Sequence, residues 1–463
     1  RQDLNNVLNE ARGIIVTQTN IDQAASINAY QNILKQRELG FYFQEEVNLF
    51  DEIFLTGGVR ADASSVNGDP DKFYFFPKAS GSLRLSKYPF WEGLASTINE
   101  FKVRVAYGET VNLAPPNEKF TPLVPRNIGG LGGLIPDTRK GDPTIKPERT
   151  KELEAGFDAT LFDGRASVEF SYFRKNISDL LLIPSLAPSS GFTDRYINGG
   201  KMRTTGVEIS LVVAPFSGDD FNWTSRVNFF KTTSEVTELN VPPFNLGGFA
   251  TFLGTYRIET GWSPTSIVGA EMEPIPGTNQ MRHKKLGDET PDFQMSFANT
   301  LTFGDFELGF LWEWKQGGDV INLGKLITDL GGTSKDYDEL GQFTLVRRST
   351  GVRDSVVTMK KGDGRLAVLG METAPYIEDG TYLKLRELHL TYTLPQDFVN
   401  RLFGGSLSHV RVGVAARNLL VFTGYDGYDP EVSQFGNVAI GRSVDTLPFP
   451  SSRSYYFNIS LGL

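Results

Sequence analysis

The sequence predicts an all-β protein, a transmembrane antiparallel β-barrel with about 13–14 strands. Three observations predict it. Apolar and polar side chains alternate in many segments, the connections between segments alternate between short and long, and aromatic residues cluster at segment ends. Because successive side chains of a strand point to opposite faces, each segment has one apolar and one polar face. A tilted spanning strand needs about 9–11 residues, which matches these segments.

The composition excludes several other classes of protein. The 463 residues are 40% hydrophobic and 22% charged, with no apolar run near 18 residues, so neither a disordered chain nor a helical membrane protein fits. With no cysteine and 3 histidines, disulfides, thiol catalysis and zinc–cysteine sites are excluded, and we expect no metal or other cofactor. The net charge of -9 argues against a nucleic-acid partner.

The first strands are predicted at 39–50, 53–62, 73–86 and 98–108. Phe41 and Phe43 lie near the start of the first strand, and Phe75 and Phe76 near the start of the third. Aromatic residues at strand ends are typical of the interfacial girdles of membrane barrels.

The middle strands are predicted at 152–162, 165–176, 203–214 and 221–232. In the first of them, Leu153, Ala155 and Phe157 alternate with Glu152 and Glu154. Charged side chains on the polar face would be costly in a dry core but are easily accommodated in a wet lumen.

The last strands are predicted at 293–303, 305–315, 382–394, 408–420 and 453–463. Phe293, Met295 and Phe297 alternate with Gln294 and Ser296, and the final segment shows the same period. A weaker segment around 14–19 would be a fourteenth strand.

The connections favour a membrane barrel over a soluble sandwich. The short ones are 51–52, 163–164, 215–220 and 304, the moderate ones 87–97 and 395–407, and the long ones 63–72, 109–151, 177–202, 233–292, 316–381 and 421–452. Membrane barrels have tight periplasmic turns and long extracellular loops. Because an open edge in lipid is unstable, further strands must come from upstream sequence or from another chain.

Several segments resemble known transporters. Residues 146–158 (KPERTKELEAGFD) resemble a motif that opens a barrel strand across TonB-dependent receptors. Residues 380–395 and 416–432 resemble the SusC/RagA family more specifically, and 40–49, 55–64 and 73–86 resemble its mid-barrel strands. The resemblance covers nearly the whole chain, as the C-terminal half of a family member, although Leu463 stands where an aromatic residue is common.

This resemblance implies a plugged barrel of about 22 strands, of which residues 1–463 are the C-terminal part, without plug domain and TonB box. It also implies a transporter of the outer membrane of a Gram-negative, Bacteroidetes-like bacterium, surrounded by outer-membrane lipid, and not an enzyme. The expected partners are TonB–ExbB–ExbD, reached through the N-terminal region, and a SusD-like lipoprotein lid. The expected substrates are oligosaccharides or peptides too large for porins.

Chemical motifs in the sequence are weak. No catalytic constellation is found. The run 129–133 (GGLGG) lacks the strand and helix of a phosphate cradle and predicts a flexible loop. Asp336, Asp338 and Glu339 match no EF-hand spacing and predict a solvated acidic turn.

Candidate substrate contacts are aromatic residues of the long loops: Tyr256, Trp262, Tyr337, Tyr425 and Tyr428. Tyr425 and Tyr428 belong to a family-like segment, so a structural role in the loop is the stronger interpretation for them.

Two other functions remain open from the sequence. The chain could be a structural or scaffold component of an envelope assembly that does not transport. It could also be a soluble extracellular β-protein, such as an adhesin or a glycan-active enzyme, whose apolar faces pack together.

Overall fold

The computed structural model describes residues 2–13, 20–21, 24–277, 280–347, 352–438 and 440–462. Its strands up to the middle of the chain are β1 Gln2–Arg12, β2 Ser26–Gln36, β3 Glu38–Leu49, β4 Ile53–Ser64, β5 Tyr74–Arg84, β6 Ile98–Asn112, β7 Leu123–Ile128, β8 Leu131–Pro136, β9 Arg139–Lys140, β10 Glu148–Leu161, β11 Ala166–Ser178, β12 Leu181–Leu182, β13 Asp194–Arg195, β14 Ile197–Asn198, β15 Gly200–Ser217 and β16 Phe221–Leu239. The remaining strands are β17 Phe244–Leu246, β18 Thr255–Ile258, β19 Ser266–Pro274, β20 Met281–Asp288, β21 Pro291–Phe303, β22 Phe306–Gly317, β23 Asp319–Asn322, β24 Leu340–Arg347, β25 Val352–Lys360, β26 Ile377–Asp379, β27 Tyr382–Thr393, β28 His409–Thr423, β29 Val444–Asp445 and β30 Ser454–Gly462.

Helices are few and short. They are α1 Leu323–Leu330, α2 Lys361–Val368 and α3 Gln396–Phe403, with single 3₁₀ turns elsewhere. Within the described ranges, none of the helices has the length and apolar character needed to cross a membrane.

One sheet of 13 strands dominates the fold. Its order is β3-β4-β5-β6-β10-β11-β15-β16-β21-β22-β27-β28-β30, and every neighbouring pair is antiparallel. These are the thirteen strands that the alternation predicts, so the all-β prediction and the strand count are confirmed. β3 and β30 each pair on one side only within the described residues, and both therefore present an open edge.

Most turns at one end of this sheet are tight. Between β3 and β4, Phe50 and Asp51 have φ of 59° and 58°, and between β10 and β11, Phe162 and Asp163 have φ of 54° and 55°. Positive φ at two successive residues is the geometry that matches the twist of a hairpin. This end is called the short-turn end, and the opposite end, which carries the long connections, the long-loop end.

The strand register places runs of polar and small residues on one face. Ser82 pairs with Arg104, Arg104 with Gly156 and Gly156 with Ser171, so polar and small residues follow one another from strand to strand. The opposite face is apolar and uncovered, with Val105 52%, Leu153 51% and Leu390 42% exposed. An apolar surface of this extent needs an apolar environment. The soluble interpretation, in which these faces pack on one another, is therefore wrong.

Some predicted boundaries need correction. β15 and β16 run to Gly200 and Leu239, well into the predicted loops, because pairing continues through polar pairs such as Lys201–Glu238 at 2.6 Å. The sequence patterns also missed the hairpin of β1 and β2, whose residues pair from Gln2–Gln36 to Arg12–Ser26. The weak segment predicted around 14–19 lies outside the described residues.

We expect Val105→Arg, on the apolar face near the middle of β6, to lower barrel stability by about 2–4 kcal/mol, because a cation there is transferred into hydrocarbon. Ala106→Arg is the matched control. Its side chain is on the polar face, where Ala106 pairs with Glu154. Unfolding in urea from lipid vesicles measures both, and equal losses, or a larger loss for Ala106→Arg, would contradict the assignment of faces.

Candidate functional site: polar wall and loop cap

Ionic contacts cross the polar face between strands. Arg104 on β6 donates from Nε to Asp158 at 3.2 Å and from Nη2 to Ser171 at 2.5 Å, and it also pairs with Glu154. Lys102 adds a 2.6 Å contact to Asp158. These contacts join three adjacent strands through their side chains and leave the face charged but internally paired.

Gly156 explains how Arg104 reaches across β10. A Cβ at this position would lie 3.2 Å from the guanidinium carbon of Arg104 and 2.2 Å from the carbonyl oxygen of Phe170. Any larger residue would therefore obstruct the arginine that bonds Ser171.

At the long-loop end, three connections fold together over a shared apolar core. Tyr256 and Ile267 come from the connection 240–290, Ile321 and Tyr376 from 318–381, and Val444 from 424–453. All are buried, together with Leu323 and Leu326 of α1. This assembly, residues 240–290, 318–381 and 424–453 as far as the structure describes them, is called the loop cap.

Two small sheets organise the loop cap. β17, β18, β19 and β20 form an antiparallel sheet, and β23 pairs with β26 and, in parallel, with β29. Since β29 follows β28 and β23 follows β22, the parallel pair joins two connections that are distant in sequence.

Buried charges reinforce the loop cap. Arg365 of α2 contacts both carboxylate oxygens of Asp329, at 2.7 and 2.6 Å, and bonds Asp336 as well. The Tyr376 hydroxyl donates to Asp329 at 3.2 Å. Burial and the Asp329 carboxylate both raise the pKa of Tyr376. A bidentate pair of this kind fixes α1 against α2.

A second charged group attaches the loop cap to the sheet. Lys384 of β27 is 2% exposed and lies 2.5 Å from Asp429, and it also contacts Glu431. Arg386 bridges Glu431 at 2.6 Å and Glu313 of β22 at 2.8 Å. The six residues of this group, called the wall–loop ion cluster, are Glu313, Tyr382, Lys384, Arg386, Asp429 and Glu431.

Tyr382 completes the cluster. Its hydroxyl lies 2.7 Å from Glu313 and 2.8 Å from Glu431. Burial alone would raise the pKa of Glu431, but hydrogen bonds and charge interactions with Arg386 and Lys384 outweigh it and lower that pKa to about 2. Glu431 is therefore an anion held between two cations.

Comparison with known proteins decides what kind of sheet this is. The family model described as "TonB dependent receptor-like, beta-barrel" matches residues 3–419. The chain belongs to this family. Its 13-stranded sheet is thus part of a transmembrane receptor barrel, the polar face is the inner wall, and the apolar face meets lipid.

Relatives and solved structures agree with this family. The chain is 25% identical to TonB-dependent receptors P3 and P26 of Formosa agariphila, over 96% and 98% of its length and 48% and 50% of theirs. It matches the structure of the RagAB peptide transporter with a TM-score of 0.76 at 22% identity, covering 96% of this chain and 50% of that one. The RagAB peptide importer in its open-open state matches with a TM-score of 0.75 at 20% identity, covering 100% and 51%.

The barrel chain therefore spans about half the length of the curated relatives that it matches. The two solved structures show the fold, and the SusC/RagA resemblance found in the sequence agrees with them. That resemblance also has a physical basis: the segments 380–395 and 416–432 supply five of the six residues of the wall–loop ion cluster.

Two of the predicted substrate contacts are buried in the receptor's loop cap. Tyr256 is 0% exposed and lies in its apolar core. Tyr425 is 5% exposed and donates to Asp445 at 2.6 Å. Burial and this hydrogen bond raise the pKa of Tyr425. The burial of Tyr425 supports the structural role that its segment suggested, and Tyr256 is a core residue of the loop cap.

The other three predicted contacts are more accessible, and each has different neighbours. Trp262 is half-buried with the Arg282 guanidinium 5.2 Å from its ring. Tyr337 donates to Asp363 at 2.6 Å, and its ring fills the space beside Gly362. Tyr428 is 75% exposed.

The weak motifs have local structural roles in the receptor. Gly129 and Gly130, with φ of 61° and 91°, form the tight turn of the β7–β8 hairpin rather than a flexible loop. The acidic turn is paired, with Asp336 on Arg365, Asp338 on Lys360 and Glu339 on Lys361. The part of the chain that the structure describes contains no cluster of three or more potential metal ligands.

Sequence reasoning missed the wall–loop ion cluster. Lys384 stands on the polar face of a predicted strand, and Asp429 and Glu431 stand in a predicted loop 45 and 47 residues later. The only signal for their contact was that both segments resemble the same family.

We expect Lys384→Met to lower the free energy of local opening of residues 425–432 by about 3–5 kcal/mol, because two carboxylates lose a buried cation. Hydrogen exchange of the receptor in lipid measures this opening. Lys201→Met, which breaks the exposed pair with Glu238, is the control and should cost about 0–1 kcal/mol. Unchanged exchange in Lys384→Met would show that the apolar core alone holds the loop.

The depressed pKa of Glu431 predicts an acid-dependent release of its loop. Since the folded-state pKa is below the ordinary value of 4.5, the stabilisation is fully present above that value and is lost as the pH falls towards about 2. Pepsin cleavage of residues 424–453 between pH 5 and pH 2, normalised to a denatured substrate, should rise across this window. In Glu431→Gln, cleavage should be high throughout; an identical pH profile in both proteins would contradict the assignment.

Proposed function

We propose that the full-length protein is an outer-membrane importer of nutrients too large for porins, oligosaccharides or peptides. The observation that carries this proposal is a charged inner wall joined by the wall–loop ion cluster to a folded loop cap, in a chain of the receptor family. A wet wall offers a path for polar solutes, and a folded cap at one end offers a surface that selects them.

The proposed orientation places the long-loop end outside the cell and the short-turn end in the periplasm. Long outer loops and short periplasmic turns are the rule in bacterial outer-membrane barrels. In this orientation β30 ends at the periplasmic side. The loop cap then meets the medium and a SusD-like lipoprotein lid, in line with the name RagAB of the matching transporter.

Energy for import is proposed to come from TonB–ExbB–ExbD, acting through a plug and TonB box that precede this chain in the full-length protein. The remaining strands of the barrel, about 22 in all, would cover the open edges of β3 and β30. The inner wall is well suited to such a plug, because charges such as Lys102, Arg104 and Asp158 are paired with one another and present a fixed polar surface.

Substrate contact is proposed for the accessible aromatic residues of the cap, first Tyr428 and then Trp262. An exposed ring offers an apolar face for a sugar ring or a peptide side chain, and its polar atom can hydrogen-bond. Tyr337, tied to Asp363, would support the surrounding surface. Tyr256 and Tyr425, buried in this structure, would contribute only if the cap opened.

Uptake by cells distinguishes the proposed import function from the alternative function as a structural scaffold. Deletion of the gene should abolish uptake of labelled oligosaccharides or of labelled peptides, and an uncoupler of the inner membrane should have the same effect in the parent strain. Whichever class is lost identifies the substrate. Unchanged uptake of both classes, with an envelope defect, would support the scaffold function.

Binding by the purified full-length complex tests the site. Tyr428→Ala should weaken substrate binding about fivefold to tenfold, or about 1 kcal/mol, if its ring contacts the substrate. Phe90→Ala, which removes a 67% exposed ring at the short-turn end, is the matched control and should leave affinity unchanged. If the two variants bind the substrate with equal affinity, Tyr428 is not part of the substrate site.

A further inference from the structure

The moderate connection between β27 and β28 contains the amphipathic helix α3, Gln396–Phe403. At 3.6 residues per turn, Phe398, Val399, Leu402 and Phe403 fall on one arc, and Gln396, Asp397, Asn400 and Arg401 on the other. A helix of 8 residues is too short to be stable alone, so contacts with the barrel must hold it in place.

Only part of the apolar arc is used for that attachment. Val399 is fully buried against Leu407 and Val410, with Leu394 beside them. Phe398 and Leu402 stay 51% and 62% exposed. The helix is therefore fixed to the start of β28 by its centre, while two large apolar side chains on its flank remain more than half exposed.

Phe398 also borders a groove on the barrel surface. The groove has a volume of about 610 Å³, within the range of small-molecule pockets. Its walls are almost wholly apolar and include Phe398 of α3 and the strand side chains Phe306, Leu390, Tyr392, Val412 and Val414. These five strand side chains belong to the lipid-facing side of β22, β27 and β28, so the groove continues the surface that meets hydrocarbon.

A cation lies beside this groove. Arg401 follows Phe398 by three residues, so these two side chains are neighbours on the helix surface. An arginine next to an apolar groove at the membrane boundary matches the two parts of a phospholipid, an acyl chain and an anionic phosphate.

We propose that α3 is an interfacial helix and that the groove beside it binds one acyl chain of an anionic phospholipid, whose phosphate meets Arg401. We expect lipid to occupy the groove because the groove is continuous with the lipid-facing wall of the barrel. The β27–β28 connection lies at the short-turn end, so the proposed orientation of the importer places this lipid in the periplasmic leaflet. The site itself does not depend on transport.

Spin labels test the position of the helix. Because this chain has no cysteine, Leu402→Cys and Asn400→Cys give unique labels on opposite arcs once any cysteine elsewhere in the full-length protein is replaced. In vesicles of phosphatidylethanolamine and phosphatidylglycerol, the label at 402 should be accessible to oxygen and shielded from a water-soluble nickel chelate, and the label at 400 the reverse. Nickel access at both positions would overturn the interfacial helix.

Photo-crosslinking tests the groove. Phosphatidylglycerol with a diazirine in its acyl chain should label the groove residues about tenfold more than the open apolar face of β6. Val412→Trp, which fills the groove, should remove this excess, whereas Val105→Trp on β6 should not. Phe398→Asp, outside the barrel wall, should also remove it without affecting assembly. Uniform labelling of both surfaces would show nonspecific lipid contact and overturn the site.

The headgroup and the other possible occupants are distinguished in the same experiment. Arg401→Gln should abolish the preference for phosphatidylglycerol over phosphatidylcholine; an unchanged preference would remove Arg401 from the site. Protein–protein crosslinks from the groove in place of lipid adducts would show a second copy or another protein there and overturn the proposal. Uptake by cells is measured alongside the crosslinking. Normal import without a lipid adduct would refute the lipid site and leave the importer intact. A lipid adduct without import would refute the importer and leave the lipid site intact.

Discussion

The structure depends on the requirement that every backbone amide and carbonyl in hydrocarbon be paired within the protein. An unbroken antiparallel ladder of 13 strands meets that requirement from β4 to β28, and the same ladder forces alternate side chains to opposite faces. The apolar face and the charged inner wall are thus two consequences of one hydrogen-bonding constraint. The same constraint requires further strands to pair with the open edges at β3 and β30, because a barrel in lipid must close.

Outside the ladder, different forces hold the chain. The loop cap has its own apolar core around Tyr256 and Tyr376, and buried charges tie it together and to the wall. Buried ion pairs contribute little to stability compared with apolar packing, but breaking one is costly, so they specify which segments meet. The wall–loop ion cluster selects the position of residues 424–453 over the ends of β22 and β27.

Much of the barrel could be predicted from the sequence because period-2 alternation is a local property. Phe293, Met295 and Phe297 predict the lipid-facing side of β21 without any knowledge of neighbouring strands. The missed elements lack that signal. β1 and β2 mix apolar and polar residues on both faces, and α3 occupies a connection only 15 residues long between β27 and β28. The strand ends were also missed where pairing continues beyond the bilayer, as in β15 and β16.

The sequence by itself determined the strands, their two faces and the resemblance to a transporter family, because each is encoded in residues near one another in the chain. Only the tertiary structure decided which distant residues meet. It buried Tyr256 and Tyr425, left Tyr428 exposed, and brought Lys384 to Asp429 across 45 residues. Such contacts depend on how the long connections fold over the barrel, and local alternation carries no information about that arrangement.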